Sequence, residues 1–343
     1  MLNTKAIVLL AAAALLGAPT IPSQSYVPET VGQITAPAWG GSLSVMTYNI
    51  KGLPWPVASG RAEAVAEIGH RLAAMRSSSN QPHVVLLQEA FGDKGRAVGE
   101  RAGYPFIVTG PQSSPTSDHP PLGREFADEA QWIKGEKSGS VIDSGLAILS
   151  DYPIRKIERY AFPRGACAGY DCLAAKGVLV AWMDVPGADE PVAVVNTHLN
   201  SRRATHVSNT RADRAYAWQV AAVRGFLLKV LPSRTPVIFA GDFNTGSIPA
   251  REAAVSDPLI NGKQGDGLRL AVQEGSIAPG SRAEARAIVD RNKDKVLFRN
   301  GANVVLKPEQ AWVPFALSQA EPLSDHAGFV VDYTIQRNEL IRH

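Results

Sequence analysis

The chain has 343 residues, 45% of them hydrophobic and 20% charged, which suits one large globular domain or two ordinary ones. Its formal net charge of +3 is too small to indicate a nucleic-acid binder, although it does not exclude a local basic groove. The sequence contains no glycine-rich phosphate loop, so a nucleotide cofactor is not indicated.

The N-terminus has the pattern of a secretory signal peptide. Lys5 precedes an apolar stretch over residues 6–16, and small residues and prolines follow it. An apolar stretch of about eleven residues is short for a membrane span, so a permanent anchor is the less favoured alternative. We predict a signal peptide over about residues 1–18, a flexible lead-in over 19–42, and one domain over 43–343 of a secreted or periplasmic protein.

Strand-like and helix-like segments alternate from residue 42 onward. Strands are predicted at 43–48, 84–87, 146–149, 177–183, 192–195, 237–240, 295–299, 303–306 and 328–335, and helices at 61–75 and 211–229. Residues 111–143 are predicted as a long surface excursion, and residues 245–292 as irregular. Strands outnumber helices and no linker divides the chain, so we expect one α/β domain of packed sheets with helices outside.

The chain has two cysteines, Cys167 and Cys172. An exported protein meets an oxidising compartment, where an even number of cysteines favours a disulfide. We therefore predict one disulfide that closes a small loop, with two free thiols as the alternative.

Polar and titratable side chains recur where predicted strands end. They are Asn49, Glu89, Asn196, His198, Asp242, Asn244, Asp294, Asp325 and His326. Hard oxygen ligands of this kind favour Mg²⁺, Mn²⁺ or Ca²⁺ over zinc. A phosphoryl-transfer centre needs a cation, a base for the attacking water and donors for the developing charge, and this set can supply all three. Taken singly, each residue also suits a solvated loop or a turn.

Six short motifs carry a family resemblance. In chain order they are Thr47-Tyr48-Asn49-Ile50, Leu87-Gln88-Glu89, Ser144-Gly145-Leu146-Ala147-Ile148-Leu149-Ser150, Asn196-Thr197-His198-Leu199, Gly241-Asp242-Phe243-Asn244 and Ser324-Asp325-His326. Together they resemble the endonuclease/exonuclease/phosphatase superfamily over about residues 43–335. The resemblance implies a deoxyribonuclease I-like fold, a four-layer sandwich of two packed mixed β-sheets flanked by helices.

The resemblance also implies roles for the metal and the base. Glu89 is expected to be the main Mg²⁺ ligand with Asn49 beside it, and Asp325 to lie near the metal or its hydration shell. His326 is expected to be the general base. Asp294, which an apolar run follows, is favoured over Asp290 as the residue that orients it.

Further roles concern the phosphoryl group. Asp242 and Asn244 are expected to position the attacking water and a phosphate oxygen. His198 is expected to donate a hydrogen bond to the phosphoryl group, with Asn196 supporting it.

The segment before the strand at 177–183 separates branches of the superfamily. Asp171, Lys176 and Gly177 have a spacing similar to that of neutral sphingomyelinases, which implies that Lys176 contacts a lipid phosphate. The alternative is a surface lysine beside a turn aspartate. A secreted deoxyribonuclease-like endonuclease, a phosphoinositide phosphatase and an inactive binding module remain open.

Two surface features bear on the partner. Trp312 and Phe315 are either a pair that inserts into a bilayer interface or part of a core strand, and Trp55 is a second exposed candidate. A basic segment suits either contact with an anionic surface or a solvated helix face; its arginines are Arg202, Arg203, Arg211 and Arg214. We expect a monomer that meets a phospholipid at a membrane surface, with nucleic acid as the alternative substrate and no protein partner evident.

Overall fold

The computed structural model describes residues 41–53, 57–112, 123–256 and 264–337. The predicted signal peptide, residues 19–40 of the lead-in, and Trp55 lie outside this part of the chain. Within the described ranges, no helix combines the length and apolarity that crossing a bilayer requires.

Twelve strands form two six-stranded sheets in the described ranges. The strands are β1 (Ser42–Asn49), β2 (Val84–Gln88), β3 (Phe106–Thr109), β4 (Ala147–Ser150), β5 (Ile154–Ala161), β6 (Gly177–Met183), β7 (Val192–His198), β8 (Val237–Asp242), β9 (Gly265–Asp266), β10 (Asp294–Arg299), β11 (Val304–Phe315) and β12 (Gly328–Arg337). The first sheet has the order β11-β12-β1-β2-β4-β3 and the second β5-β6-β7-β8-β10-β9. Each sheet has one parallel pair at its centre, β1 with β2 and β7 with β8, between antiparallel neighbours.

The helices cover the outer faces of the sheets and one side of the sandwich. They are α1 (Arg61–Ser77), α2 (Lys94–Arg101), α3 (Arg124–Asp128), α4 (Asn209–Val230), α5 (Pro249–Ser256), α6 (Gly267–Glu274) and α7 (Arg282–Arg291), with 3₁₀ turns at Trp132–Lys134 and Gly169–Leu173. The last three helices correct the expectation that residues 245–292 are irregular. These helices have eight to ten residues each, too short for a clear apolar periodicity in the sequence.

Side chains that alternate between the two faces of each strand build the four layers. Val45 of β1 belongs to the core between the sheets, and its neighbour Met46 packs on the outer side with residues of α1. In the second sheet, Val194 faces the inner core and Val195 faces α4. Because successive side chains point to opposite faces, each central strand is buried on both sides. The predicted four-layer sandwich is confirmed.

Register brings the polar strand ends to one edge. Asn49 at the end of β1 pairs with Gln88 at the end of β2. In the second sheet, Asp242 at the end of β8 pairs with both His198 and Asp294. Parallel neighbours end at the same edge, and the antiparallel β10 begins there, so both sheets present their polar residues together.

A buried amide pair links the two sheets beneath this edge. The Nε2 of Gln88 donates to Oδ1 of Asn196 at 2.8 Å, and Nδ2 of Asn196 donates to the carbonyls of Leu87 and Ala147, both at 2.9 Å. The support of His198 by Asn196 stays a prediction. The two residues lie on the same face of β7, about 7 Å apart along the strand, and the contacts of the Asn196 amide are with the first sheet.

We predict that Asn196→Ala lowers the free energy of unfolding by about 3 kcal/mol, because it removes three buried hydrogen bonds, one from the Gln88 amide and two to the carbonyls of Leu87 and Ala147. Urea denaturation measures the change, and Asn80→Ala at an exposed turn is the control. A loss below about 1 kcal/mol in Asn196→Ala would show that the link contributes little.

Candidate active site

The amide of Asn49 lies between two carboxylates from opposite sheets. Its Nδ2 donates to Oε1 of Glu89 at 2.9 Å and to Oδ2 of Asp242 at 3.1 Å. Its Oδ1 accepts from the backbone N–H of Lys51 at 3.0 Å, which fixes the orientation of the amide. One neutral group therefore separates two acids that would otherwise repel each other.

The surroundings raise the pKa of both acids. Burial raises the pKa of Glu89, and the hydrogen bond from Asn49 opposes that rise. Burial also raises the pKa of Asp242, while the nearby His326 opposes the rise. Two acids in one desolvated recess make a position where a cation is strongly favoured.

The backbone at this edge is held in an uncommon conformation. Glu89 has φ +53° and Asn244 has φ +48°, both in the left-handed region that non-glycine residues seldom adopt. Such positions persist only where the surrounding structure imposes them, and they concentrate at functional sites. Here the carbonyl of Glu89 accepts the N–H of Gly52 at 2.9 Å, which ties the turn to the end of β1.

His326 is oriented by Asp294. The Nδ1 of His326 lies 3.0 and 2.9 Å from the two Asp294 oxygens, and its Nε2 lies 3.6 Å from Oδ2 of Asp242. Burial disfavours the imidazolium, but the Asp294 and Asp242 carboxylates outweigh it and raise the pKa of His326 to about 9. Asp290, the rival partner, is exposed on α7.

Lys176 is buried in a polar cluster. Its Nζ lies 2.9 Å from Oδ2 of Asp171, 3.1 Å from Nε2 of His198 and 3.3 Å from the carbonyl of Leu199. The lysine is 6% exposed and the aspartate 8%. Since neither side chain lies at the surface, the alternative of a surface lysine beside a turn aspartate is wrong.

The tautomer of His198 follows from these contacts. Burial and the Lys176 cation hold the pKa of His198 well below its usual value, so the ring is neutral near pH 7. When Lys176 donates to Nε2, the ring proton lies on Nδ1, which has no partner among the described residues. Donation from His198 to a phosphoryl oxygen, as predicted, requires the other tautomer, in which Nε2–H faces Asp242 at 3.6 Å.

Asn244 and Asp325 occupy different depths. The Asn244 side chain is buried and donates to the carbonyl of Leu199 at 2.9 Å, while its backbone N–H donates to Oδ1 of Asp242 at 2.9 Å. Asp325 lies at the rim, where its 61% exposed side chain pairs with Lys51 at 3.0 Å. Asn244 therefore belongs to the recess, and Asp325 belongs to its entrance.

The recess opens into a cavity of about 350 Å³. Its polar and charged lining includes Glu89, Lys176, His198, Asp242, Asn244 and His326. Its apolar and aromatic lining includes Leu53, Phe91, Val141, Ile142, Tyr170 and Leu173. The cations Lys51, Arg203 and Lys293 also line it. This mixed lining suits a substrate with an anionic group joined to an apolar part.

The donor chemistry fits a hard divalent cation. Glu89 and Asp242 supply carboxylate oxygens, and no sulfur ligand is nearby among the described residues. Asp242, Asp294 and His326 also place one potential ligand atom each within 4.8 Å of one another. Either arrangement leaves Asp242 as a shared ligand.

The predicted disulfide is present and shapes the Lys176 cluster. Cys167 and Cys172 are joined, and they enclose most of the 3₁₀ turn that carries Asp171. Within the loop, Gly169 has φ +57°, and a Cβ there would lie 1.9 Å from the carbonyl oxygen of Thr205. Only glycine fits this approach, so the turn packs tightly beside the candidate site.

Three of the four arginines in the basic segment have acidic partners. Arg202 pairs with Asp213, Arg211 with Glu129 and Glu136, and Arg214 with Glu125. Arg203 differs in that it lines the cavity. Most arginines of this segment therefore form ion pairs within the protein.

The predicted bilayer-inserting pair is wrong. Phe315 is 2% exposed and stacks on Tyr48 with ring centroids 4.9 Å apart. Trp312 is partly buried, and its Nε1 donates to Asp332 at 3.1 Å. Both residues belong to β11, so the core-strand alternative is the correct one.

Comparison with known proteins identifies the family. Residues 46–326 match the Endonuclease/Exonuclease/phosphatase family. The match covers most of the chain, and the two-sheet fold agrees with it. The chain belongs to the endonuclease/exonuclease/phosphatase family.

Three known proteins show what this chain is similar to. A sphingomyelinase of Mycobacterium tuberculosis is 28% identical over 320 residues, which cover 88% of this chain and 55% of that protein. The chain thus spans about half the length of this relative. A beta toxin variant from Staphylococcus aureus with bound magnesium ions superposes with a TM-score of 0.55 at 18% identity, covering 85% of this chain and 99% of the other. D. rerio TDP2 with a single-strand DNA product gives 0.52 at 20% identity, covering 85% and 98%. Both structures share the fold.

Several residues that line the cavity were not among the predicted site residues. Lys51 lies two positions after Asn49, and Lys293 directly precedes Asp294, so proximity to a strand-end residue could have flagged both. Phe91 and Tyr170 carried no such signal, because an isolated aromatic residue is more often part of a core.

We predict strong coupling between Asp171 and Lys176. Asp171→Asn or Lys176→Met alone leaves a buried charge unpaired and should lower the free energy of unfolding by about 3–5 kcal/mol. The double variant should lose clearly less than the sum, as measured by urea denaturation of all four proteins. The exposed pair Lys307 and Glu309 is the matched control, with coupling below about 1 kcal/mol. Additive losses at Asp171 and Lys176 would contradict the pairing.

Proposed function

We propose that this chain is a secreted, Mg²⁺-dependent phosphodiesterase that hydrolyses sphingomyelin to ceramide and phosphocholine. The observation that carries the proposal is the buried Lys176 with Asp171, beside the acids and the histidines of the recess. The sphingomyelinase relative and the apolar lining of the cavity support the choice of a lipid substrate.

Glu89, with Asn49 beside it, and Asp242 would hold the metal, and Asp325 would lie near its hydration shell. Mg²⁺ suits their hard oxygen atoms, with Mn²⁺ or Ca²⁺ as alternatives. The bound ion would supply positive charge to the phosphoryl oxygens.

His326 would act as the general base. In the neutral form of the ring, the contact of Nδ1 with Asp294 would leave Nε2 to take a proton from the attacking water. A cation held at Asp242 would favour this neutral form, because its charge opposes the imidazolium. The water oxygen would then form a bond to phosphorus, the bond from phosphorus to the ceramide oxygen would break, and the ceramide oxygen would take up a proton from solvent. Asp294 supports the ring by fixing its orientation and stabilising the imidazolium that forms.

The remaining residues would hold the phosphoryl group. Lys176 is the strongest donor because its ammonium is fixed by Asp171 in a desolvated recess. Asn244 and Asp242 would position the water and a phosphate oxygen, and His198 would contribute a hydrogen bond.

A deoxyribonuclease-like endonuclease is the second candidate. The cations Lys51, Arg203 and Lys293 line the cavity and favour it, because positive charge suits a nucleic-acid backbone. The TDP2 structure with its DNA product shares the fold. A phosphoinositide phosphatase would use the same charges.

The disulfide supports an oxidising compartment, as the N-terminal pattern does. We therefore propose that the protein is secreted or periplasmic. We further propose that it meets its substrate peripherally, as a monomer.

We predict that the purified protein hydrolyses sphingomyelin liposomes with Mg²⁺, loses that activity in EDTA and leaves plasmid DNA intact. His326→Ala should lower turnover by about 10²–10⁴-fold, because the proton acceptor is lost. Phosphocholine release and plasmid nicking are measured side by side.

His70→Ala is the control, since His70 is an exposed histidine of α1. Cleavage of DNA alone would overturn the choice of substrate. Near-normal turnover by His326→Ala would overturn the base assignment, and undiminished lipid hydrolysis by Lys176→Ala would remove the main support for the lipid.

A further inference from the structure

Two large apolar side chains project from a surface turn. Trp132 is 63% exposed and Ile133 62%, and both lie in the 3₁₀ turn Trp132–Lys134. Among the described residues, Leu228 is the one other large hydrophobic side chain with comparable exposure, at 61%. Two such residues side by side form a local apolar projection on the surface.

This turn lies beside the cavity. The Nζ of Lys134 is 5.0 Å from the ring centroid of Tyr170. At Gly135, with φ +81°, an added Cβ would lie 2.5 Å from Cδ2 of Leu173. Tyr170 and Leu173 both line the cavity, so the projection borders the cavity at its apolar lining.

The turn is anchored to the loop that carries Asp171. The Glu136 carboxylate accepts the backbone N–H groups of Gln131 at 2.6 Å and Gly169 at 2.9 Å, and it pairs with Arg211 at 2.7 Å. The Glu136 side chain is 2% exposed, so these bonds are shielded from water. The fold thus holds Trp132 and Ile133 outward on a fixed base.

The surroundings carry charges of both signs, which suits the zwitterionic headgroups of phosphatidylcholine and sphingomyelin. Lys134 and Lys137 flank the projection, the exposed acids Asp128 and Glu129 precede it in the chain, and Arg203 lines the cavity. Tryptophan is enriched where a membrane meets water, because its ring is apolar while its N–H remains hydrated. Apolar residues next to lysines are the pattern of an interfacial anchor.

We propose that Trp132 and Ile133 form a bilayer-docking surface that enters the lipid interface and sets the cavity against the headgroups. This inference rests on the proposed lipid substrate. The proposed partner of this surface is a phospholipid bilayer. Trp132 and Ile133 thus take the place of Trp312 and Phe315 as the membrane contact.

The test compares Trp132→Ser/Ile133→Ser with Leu228→Ser. Leu228 lies on α4 about 25 Å along the helix from Arg211, so it is a matched exposed control far from the turn. Sedimentation with vesicles of phosphatidylcholine and sphingomyelin measures binding, in a His326→Ala background so that the lipid stays intact. We expect the double variant to bind at least ~10-fold more weakly and Leu228→Ser to bind as the parent does.

Activity gives a second readout in the enzyme with His326. The ratio of vesicle sphingomyelin hydrolysis to hydrolysis of a short-chain, monomeric sphingomyelin should fall at least ~10-fold in the double variant. Unchanged vesicle binding, or an equal fall on both substrates, would overturn the proposal. So would a change of oligomeric state in the double variant, since that assigns the surface to a second copy. If the parent binds vesicles through this surface but hydrolyses no sphingomyelin, docking stands and the proposed substrate fails.

Discussion

The structure depends on one neutral amide that lies between two acids at the shared edge of the two sheets. Glu89 ends the first sheet and Asp242 the second, and the Asn49 amide donates to both. Beneath them, the Gln88 and Asn196 amides fix the separation and register of the sheets. A slip of one residue in either central strand would turn these side chains toward the helices. The fold and the site are therefore specified by the same hydrogen bonds.

The second constraint is the burial of Lys176. A desolvated ammonium is tolerated because Asp171 accepts from it, and Asp171 is held by a turn that the disulfide closes. Burial and then the same cation lower the pKa of His198, and Nε2 of the ring lies 3.1 Å from the Lys176 ammonium. A loop outside the sheets thus takes part in the hydrogen bonding of a strand-end histidine.

The sequence predicted the strand-end residues well because the pattern is local. An apolar run that ends in Asp242 and Asn244 reveals both the strand and its polar tip. The short helices after residue 245 were missed because eight residues give little periodicity, and their packing between the sheet edges is tertiary. The contacts of Asn196 depend on the opposite sheet, and the burial of Phe315 depends on Tyr48, which lies on another strand of its own sheet. Trp132 carried no signal, since its exposure follows from the buried Glu136 that anchors its turn.

Diffraction from crystals grown with Mn²⁺, collected at the manganese absorption edge, shows directly whether a cation binds between the acids of the two sheets. We predict an anomalous peak within about 2.5 Å of a Glu89 oxygen, near Asp242, because two acids in one desolvated recess favour a cation. We also predict that the peak is absent in Glu89→Gln. A well-ordered crystal grown with Mn²⁺ that shows no peak at this edge, or peaks only elsewhere on the surface, would contradict this cation site.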